Sequence, residues 1–430
     1  MKKKVTLPWI VMVSLLVISS MNLSAQDWSQ WRGPNREGVF KGANLNLDWQ
    51  TKKPPLLWTF RQAGAGYSAP TIAGPTLYCQ GGADGNDFAF ALDTQTGQIK
   101  WKQNLGKLHE GIQNRGDGPR GSVTVDNDKL FLIRGGGQLH CLSAVDGKML
   151  WEKDLVNDFG GKVMGGWGFS ESPLVDGDLV ICTPGGNQGA MVAFNKNSGK
   201  VEWVCKELTE DTGYSSAIIA DVDGLRQYIQ QTSKGVSGVA AKDGKLLWKI
   251  NNPLYRTAVI PTPIINQQVV YVTNGYSSGC MSIRLTKKDN AIHADTVYTN
   301  IRNISNQHGG VVLMNGFLYG HSDRPSSSWV CQNFTTGEIV WAHKDTAFAI
   351  GKGSILAVND RFILFDMQTG RSAVISASPE GWKEFGKMEL PERTTITTQD
   401  NCLWTHPVVA NDKLYLRDHD LLFCFDIGNF

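Results

Sequence analysis

The stretch Asp93-Thr-Gln-Thr-Gly97-Gln-Ile-Lys-Trp101 recurs in degenerate form along the chain, and its regular return leaves few folds open. It comes back as Ala144-Val-Asp146-Gly147-Lys-Met-Leu-Trp151, Asn195-Lys-Asn-Ser-Gly199-Lys-Val-Glu-Trp203, Lys242-Asp243-Gly244-Lys-Leu-Leu-Trp248 and Phe334-Thr-Thr-Gly337-Glu-Ile-Val-Trp341. In each copy Asp, Asn or Thr with Gly supplies the positive-φ positions of a tight turn, and the alternating residues that follow carry the indole on one face of a second strand. The repeat unit is therefore made of strands. Trp58, Trp101, Trp151, Trp203 and Trp248 are 43, 50, 52 and 45 residues apart, and the next gap, to Trp341, is 93. That last gap is about twice the period, so one unit, 259–300, has lost its Trp; Asp295-Thr-Val-Tyr298 stands in its place.

Each unit begins with a small or polar lead-in such as Ser68-Ala-Pro70, followed by strands such as Thr76–Cys79 and Phe88–Leu92, then the Gly turn and the Trp strand. Four short antiparallel strands per unit is the anatomy of a propeller blade. The unit opening at Gly353 has its turn at Gly370 and a last strand near Trp382. The final unit, from Thr405, ends at Asp426 without a Trp strand, and Leu56–Phe60 is a lone Trp-bearing strand with no hairpin before it. Pairing the two closes the ring and protects its edges. The expectation is an all-β, eight-bladed β-propeller over 56–430, its last blade completed by an N-terminal strand. The docking tryptophans are Trp58, Trp101, Trp151, Trp203, Trp248 and Trp341.

Residues 1–25 read as a signal peptide: Lys2, Lys3 and Lys4 precede an apolar run from Leu7 to Ile18, and cleavage after Ala25 is the expectation. That run is too short to span a bilayer. Its removal leaves 39 basic against 40 acidic residues, which argues against a nucleic-acid partner. The first cysteine is Cys79, so no lipid-bearing cysteine follows the cleavage site, and the chain is expected to be periplasmic or secreted. Cys79, Cys141, Cys182, Cys331 and Cys424 fall inside predicted strands, as small buried thiols rather than a disulfide framework. Residues 26–55 form an N-terminal extension in which Trp28 and Trp31 are expected to pack on the outside of the propeller.

With its five motif copies, the chain resembles the pyrroloquinoline-quinone-type (PQQ) repeat propellers, whose blades carry [Asp/Asn]-x-x-[Thr/Ser]-Gly-x-x-x-Trp. The resemblance extends over 56–428. It implies one of two functional branches: quinoprotein alcohol dehydrogenases, which hold PQQ with a divalent cation in the central channel, or protein-binding propellers like the outer-membrane assembly factor. The dehydrogenase branch has a vicinal disulfide and a Glu/Asn/Asp cation set. This sequence has no adjacent cysteines, and no motif places the cation set.

In a propeller the first strand of each blade lines the axis. Aligning those strands puts Tyr67, Arg120, Ser170, Tyr214, Ile260, His308, Lys352 and Trp404 in one ring, with Ser68, Gly121, Glu171, Ser215, Pro261, Gly309, Gly353 and Thr405 in a second. Arg120, Glu171, His308, Lys352 and His406 are expected to converge on an anionic or polar ligand, with Trp167, Tyr214 and Trp404 as stacking faces. Each has a structural reading as well: Arg120 pairs with Glu171, His308 bonds a loop, Lys352 is solvated, and Trp167 caps an apolar gap. No Gly-x-Ser-x-Gly or His-Glu-x-x-His motif is present. The expected function is that of a ligand- or protein-binding scaffold without a catalytic motif, which takes a small polar or anionic ligand or an envelope protein as a monomer. The alternative is a PQQ- and calcium-dependent oxidoreductase.

Overall fold

The computed structural model describes residues 27–109 and 118–428, apart from 253, 254, 256, 277, 290, 301, 302, 325, 347–349, 399 and 400. The signal-like segment lies outside the described residues. Eight antiparallel sheets follow one another along the chain, and seven are built from four consecutive strands. Blade 1 consists of Thr71–Ala73, Thr76–Ala83, Asn86–Asp93 and Ile99–Lys107, in that order from the axis outward. Blades 2 to 7 repeat the order over 124–154, 174–205, 218–251, 264–300, 311–343 and 353–388. Blade 8 takes its three inner strands from 408–426 and its outermost from Leu56–Phe60, which pairs antiparallel with Leu421–Asp426. The eight-bladed propeller and its closing strand are thus as the repeats dictate.

The recurrent Gly turn is a seat for the preceding blade's aromatic residue. A Cβ on Gly97 would lie 2.6 Å from the Trp58 ring, and Gly147, Gly199 and Gly244 stand in the same relation to Trp101, Trp151 and Trp203. Each indole N–H also donates to a carbonyl in the same turn: Trp58 to Thr94 at 3.2 Å, Trp101 to Ala144 at 3.1 Å, Trp151 to Lys196 at 3.0 Å and Trp203 to Ala241 at 3.1 Å. Tyr298 does the same work in blade 5, lying against Gly337 with its hydroxyl donating to Phe334 O at 3.0 Å. Trp248 differs. The blade it faces has a long hairpin with no Gly at the corresponding turn, and its N–H turns to Gln227 Oε1 in its own blade, at 2.6 Å. In blade 7 the outer strand is Glu384–Met388, and Trp382 sits in the turn before it, stacked on His343. All eight cysteines are buried and free.

The first part of the N-terminal extension, with Trp28 and Trp31, does not lie on the outside. Residues 27–42 form a loop inserted along the axis, and it touches every blade. Trp28 exchanges two backbone hydrogen bonds with Ile72 of blade 1, and Ser29 O accepts from Val125 N of blade 2. Arg36 reaches the lead-ins of blades 3 and 4, Trp31 donates to Thr262 of blade 5, and Arg32 donates to Val311 O of blade 6. Val39–Phe40 adds a parallel strand inside Gly353–Val358 of blade 7, and Trp31 meets His406 of blade 8 edge to face. The outward placement fails because the inner strands of eight blades leave an axial space, where the Trp28 indole is removed from water while Trp31 lines the cavity above it. Trp28 is 2% exposed. Gly33, at φ 85°, is required at the loop's turn, since a Cβ there would lie 2.8 Å from the Trp28 ring. Further along, Trp49 is buried against the blade 7 outer strand before the chain enters blade 8.

Candidate ligand site at the channel mouth

The inserted loop enters near Gly74, where Gly74 N donates to Asp27 Oδ1, and leaves near Asn359, so both its ends are on one face of the propeller. Its tip, Trp31 and Arg32, points toward the other face. Above the tip is a cavity of about 430 Å³; below it, a separate one of about 590 Å³. The loop therefore closes the channel between two mouths.

The upper cavity is framed by the lead-ins to the blades. Tyr67, Arg120, Ser170, Tyr214, Ile260, His308 and Trp404 all line it, joined by Trp167 and His406. On one side His308 stacks on Trp404 (ring centroids 4.6 Å, planes 11° apart), and Trp404 meets Tyr67 at 4.7 Å. The Arg120 guanidinium lies over both Tyr67 and Trp404, 4.9 and 5.4 Å from the ring centres, and its Nε donates to Trp167 O at 3.2 Å. Such cation–π contact holds a positive charge at an apolar wall. Trp167 and Tyr214 are edge to face at 5.8 Å, and the Tyr214 hydroxyl donates to Met164 O. Two of the expected residues are elsewhere. Lys352 turns to Asp323, 2.9 Å away.

Glu171 is 2% exposed and faces away from the cavity. Its carboxylate accepts from Thr183 N at 2.7 Å, Thr183 Oγ1 at 2.9 Å and Gln230 Nε2 at 3.2 Å. Burial pushes its pKa up to about 7, while the Thr183 bonds and the Arg36 charge pull it down. It does not pair with Arg120; the charge it feels is that of Arg36. The second ring as a whole is spent on joining blades: Gly121 O accepts from Gln80, Ser215 Oγ donates to Pro261 O, and Gly309 lies so close to Gly353 that a Cβ would meet its carbonyl at 1.7 Å.

The floor was not legible among the expected site residues. Trp31 and Arg32 come from the extension, Gln307 and Cys402 from inter-blade loops, and Tyr276 from the hairpin between Val269–Asn274 and Gly279–Lys288 of blade 5. Arg32 is 4% exposed; its Nη2 donates to Glu37 O at 3.0 Å and Val311 O at 2.6 Å, whereas Nε and Nη1 have no partner among the described residues. Burial lowers its pKa to about 10, partly offset by Glu37, so it remains charged at neutral pH. His406 Nε2 donates to His308 O at 2.9 Å. Burial, with the charge of Arg32, lowers the His406 pKa to about 3, and burial with the charges of Lys352 and Arg120 lowers that of His308 well below its ordinary value. Both imidazoles are therefore neutral at pH 7.

A family model described as outer membrane protein assembly factor BamB, of PQQ type, matches residues 89–343, more than half of the chain. The chain belongs to this family. Among solved structures, this PQQ-type propeller is similar to BamB from Moraxella catarrhalis (TM-score 0.58, 16% identity, 86% of this chain and 97% of that one). It is also similar to quinohemoprotein alcohol dehydrogenase from Comamonas testosteroni (TM-score 0.61, 11% identity, 94% and 81%). At these identities the likeness is one of fold. A curated relative, tetrathionate hydrolase of Acidithiobacillus ferrooxidans, is 26% identical over 238 residues, which are 51% of this chain and 44% of the relative. The match thus spans less than half of that relative's length.

The cavity can be tested against a quinone held with a divalent cation. Aromatic faces and two guanidinium groups suit a planar anion, but no described lining residue is a carboxylate, and the described residues hold no cluster of three His, Cys, Asp or Glu side chains able to bind a metal ion. A hard divalent cation requires several oxygen ligands, usually including carboxylates. The residues present do not fit the quinone–cation pair.

Proposed function

We propose that this chain is an exported binding module that takes an anionic ligand in the upper cavity. One observation carries the reading: a cavity closed below by the inserted loop and walled by aromatic rings presents the Arg32 and Arg120 guanidinium groups with no carboxylate among its described lining. In so apolar a setting a guanidinium attracts an anion far more strongly than at an exposed surface. The volume falls within the range of small-molecule sites, roughly 300–1,000 Å³. The signal-like N-terminus and the family's outer-membrane description support an exported setting. The cation-free donor set favours binding over PQQ-dependent oxidation.

Calorimetric titration of the purified mature chain with sulfate, tetrathionate and naphthalene-2-carboxylate tests this reading. Tetrathionate is included because it is a dianion and gives the curated relative its name. Saturable binding of at least one anion, weakened about tenfold or more in Arg120→Ala, is expected from loss of a charged hydrogen-bond donor. Absence of binding by all three at millimolar concentration, or binding indifferent to Arg120→Ala, contradicts it.

A further inference from the structure

We infer that Cys402 is a covalent site in the upper cavity, where its thiol exchanges with a small anionic disulfide and keeps one half of it as a mixed disulfide. This rests on the reading of the cavity as an anion site and goes beyond it by naming the residue that reacts and the class of compound it takes.

The first observation is where this thiol sits. Seven of the eight cysteines lie inside strands, and none of the eight is in a disulfide. Burial pushes the Cys141 and Cys424 thiols up to about 12 and those of Cys205 and Cys331 to about 11, so they stay protonated and are poor nucleophiles at neutral pH. Cys402 is instead in the loop between blades 7 and 8, and it lines the upper cavity. Gln368, which lines the cavity with it, donates through Nε2 to Cys402 Sγ at 2.8 Å, and Leu403 N donates to Met367 O at 2.7 Å. The hairpin between Arg361–Asp366 and Ser372–Ser376 thus holds the sulfur at the cavity wall.

The second observation concerns the charge of what reaches that sulfur. Arg32 lines the same cavity, is 4% exposed, and has no partner among the described residues for Nε and Nη1. The Arg120 guanidinium stands over Trp404, two residues on from Cys402. No carboxylate is among the described lining. An entering anion therefore meets two opposing charges, and an entering cation is repelled by both.

The exchange needs nothing besides the disulfide itself. Cys402 gives its proton to water, Sγ attacks one sulfur of R–S–S–R, the new S–S bond forms as the old one breaks, and R–S⁻ leaves and takes up a proton. The cysteine sulfur is oxidised and the departing sulfur is reduced. The exported setting proposed above is one in which disulfides persist.

The experiment exposes the full mature chain to three disulfides of matched length, 3,3′-dithiodipropionate (anionic), 2-hydroxyethyl disulfide (neutral) and cystamine (cationic), and follows adducts by intact mass and peptide mapping. Each rate is divided by that of N-acetylcysteinamide with the same disulfide. A single adduct at Cys402 is expected, forming about tenfold or more faster with the anion than with the neutral compound and slowest with the cation. Arg32→Gln should remove most of that preference, and Cys402→Ser should abolish the labelling. If Cys402 stays unmodified while the calorimetric anion titrations succeed, the covalent site is wrong and the anion reading stands. A reaction as fast with cystamine as with the anion, or an adduct at another cysteine, also overturns the inference. If Cys402 stays unmodified and those titrations fail as well, the cavity reading itself falls. Should Arg32→Gln fail to fold, the three-disulfide comparison on the unaltered chain decides alone.

Discussion

Arg32 and Arg36 lie four residues apart on one loop, share a left-handed backbone (φ 59° at each) and are both almost fully buried, yet they meet opposite surroundings. Arg36, toward the lower mouth, is saturated: Nε donates to Gln30 Oε1 at 2.8 Å, Nη1 to Ser172 O at 3.1 Å and Ala217 O at 2.9 Å, and Nη2 to Pro173 O. Burial lowers its pKa to about 10, and the charge of Glu171 partly offsets that. Arg32, at the tip, keeps two nitrogens without a partner among the described residues. The difference separates a residue that fastens the loop from one that the loop presents. A buried charge completely bonded by its own fold has nothing left for a ligand, and one that is half bonded has.

The largest effect is expected at Arg36. Arg36→Ala strips the donors from three buried carbonyls and leaves Glu171 without its counter-charge, which should cost about 3–5 kcal/mol in urea unfolding. Arg32→Gln retains a donor near Val311 O and should cost about 1 kcal/mol. Equal losses at the two positions would erase the distinction between them.

The pH dependence of the two ends should have opposite signs. Glu171 titrates near 7 in the fold against about 4.5 unfolded, so the folded state binds the extra proton between these values and the stability it contributes is lost as pH rises from 4.5 through 7. Unfolding of Glu171→Gln compared with the unaltered chain should therefore shift toward the variant over that interval, by up to about 1.4 kcal/mol per pH unit. A flat difference would mean that the carboxyl is solvated. His406, at the tip, titrates near 3 in the fold against 6.5 unfolded, so its contribution is present above 6.5 and is lost as pH falls toward 3. His406→Gln should flatten the acid limb of the stability profile, and an unchanged limb would remove His406 from the account. The smallest effect is expected at Lys352: Lys352→Met breaks a half-buried pair with Asp323 outside the cavity and should leave anion affinity within about twofold.

The outer edge of the blades was legible in the sequence and the axis was not, for a physical reason. Each docking turn is a local pattern, an Asx or Thr with Gly and a Trp four residues on, and it solves the same packing problem in every blade; even the substitution of Tyr298 follows from the spacing. The lead-in ring likewise follows from aligning inner strands, which is why Tyr67, Arg120, Tyr214, His308 and Trp404 were foreseeable together. Glu171 lies one residue further in, where side chains turn from the cavity to the seams between blades. The loop 27–42 has no period, and beside the short turn bonds within it, such as Gly33 N to Gln30 O and Gly38 N to Arg32 O, the hydrogen bonds that fix its place run to residues between 44 and more than 300 positions away. Its one local signal was composition: Trp28, Trp31, Arg32, Gly33, Pro34 and Arg36 put indoles and cations among turn formers, too aromatic for a solvated linker.

The central claim is that this loop belongs to the fold and forms the floor of the site. Hydrogen exchange of the peptide spanning 27–42 tests it most directly. The Trp28, Gly33, Arg36 and Gly38 amides are each bonded to a backbone carbonyl, and they should exchange as slowly as the innermost strand of blade 1, Thr71–Ala73. Exchange within seconds, at the rate of an exposed linker, would contradict the account.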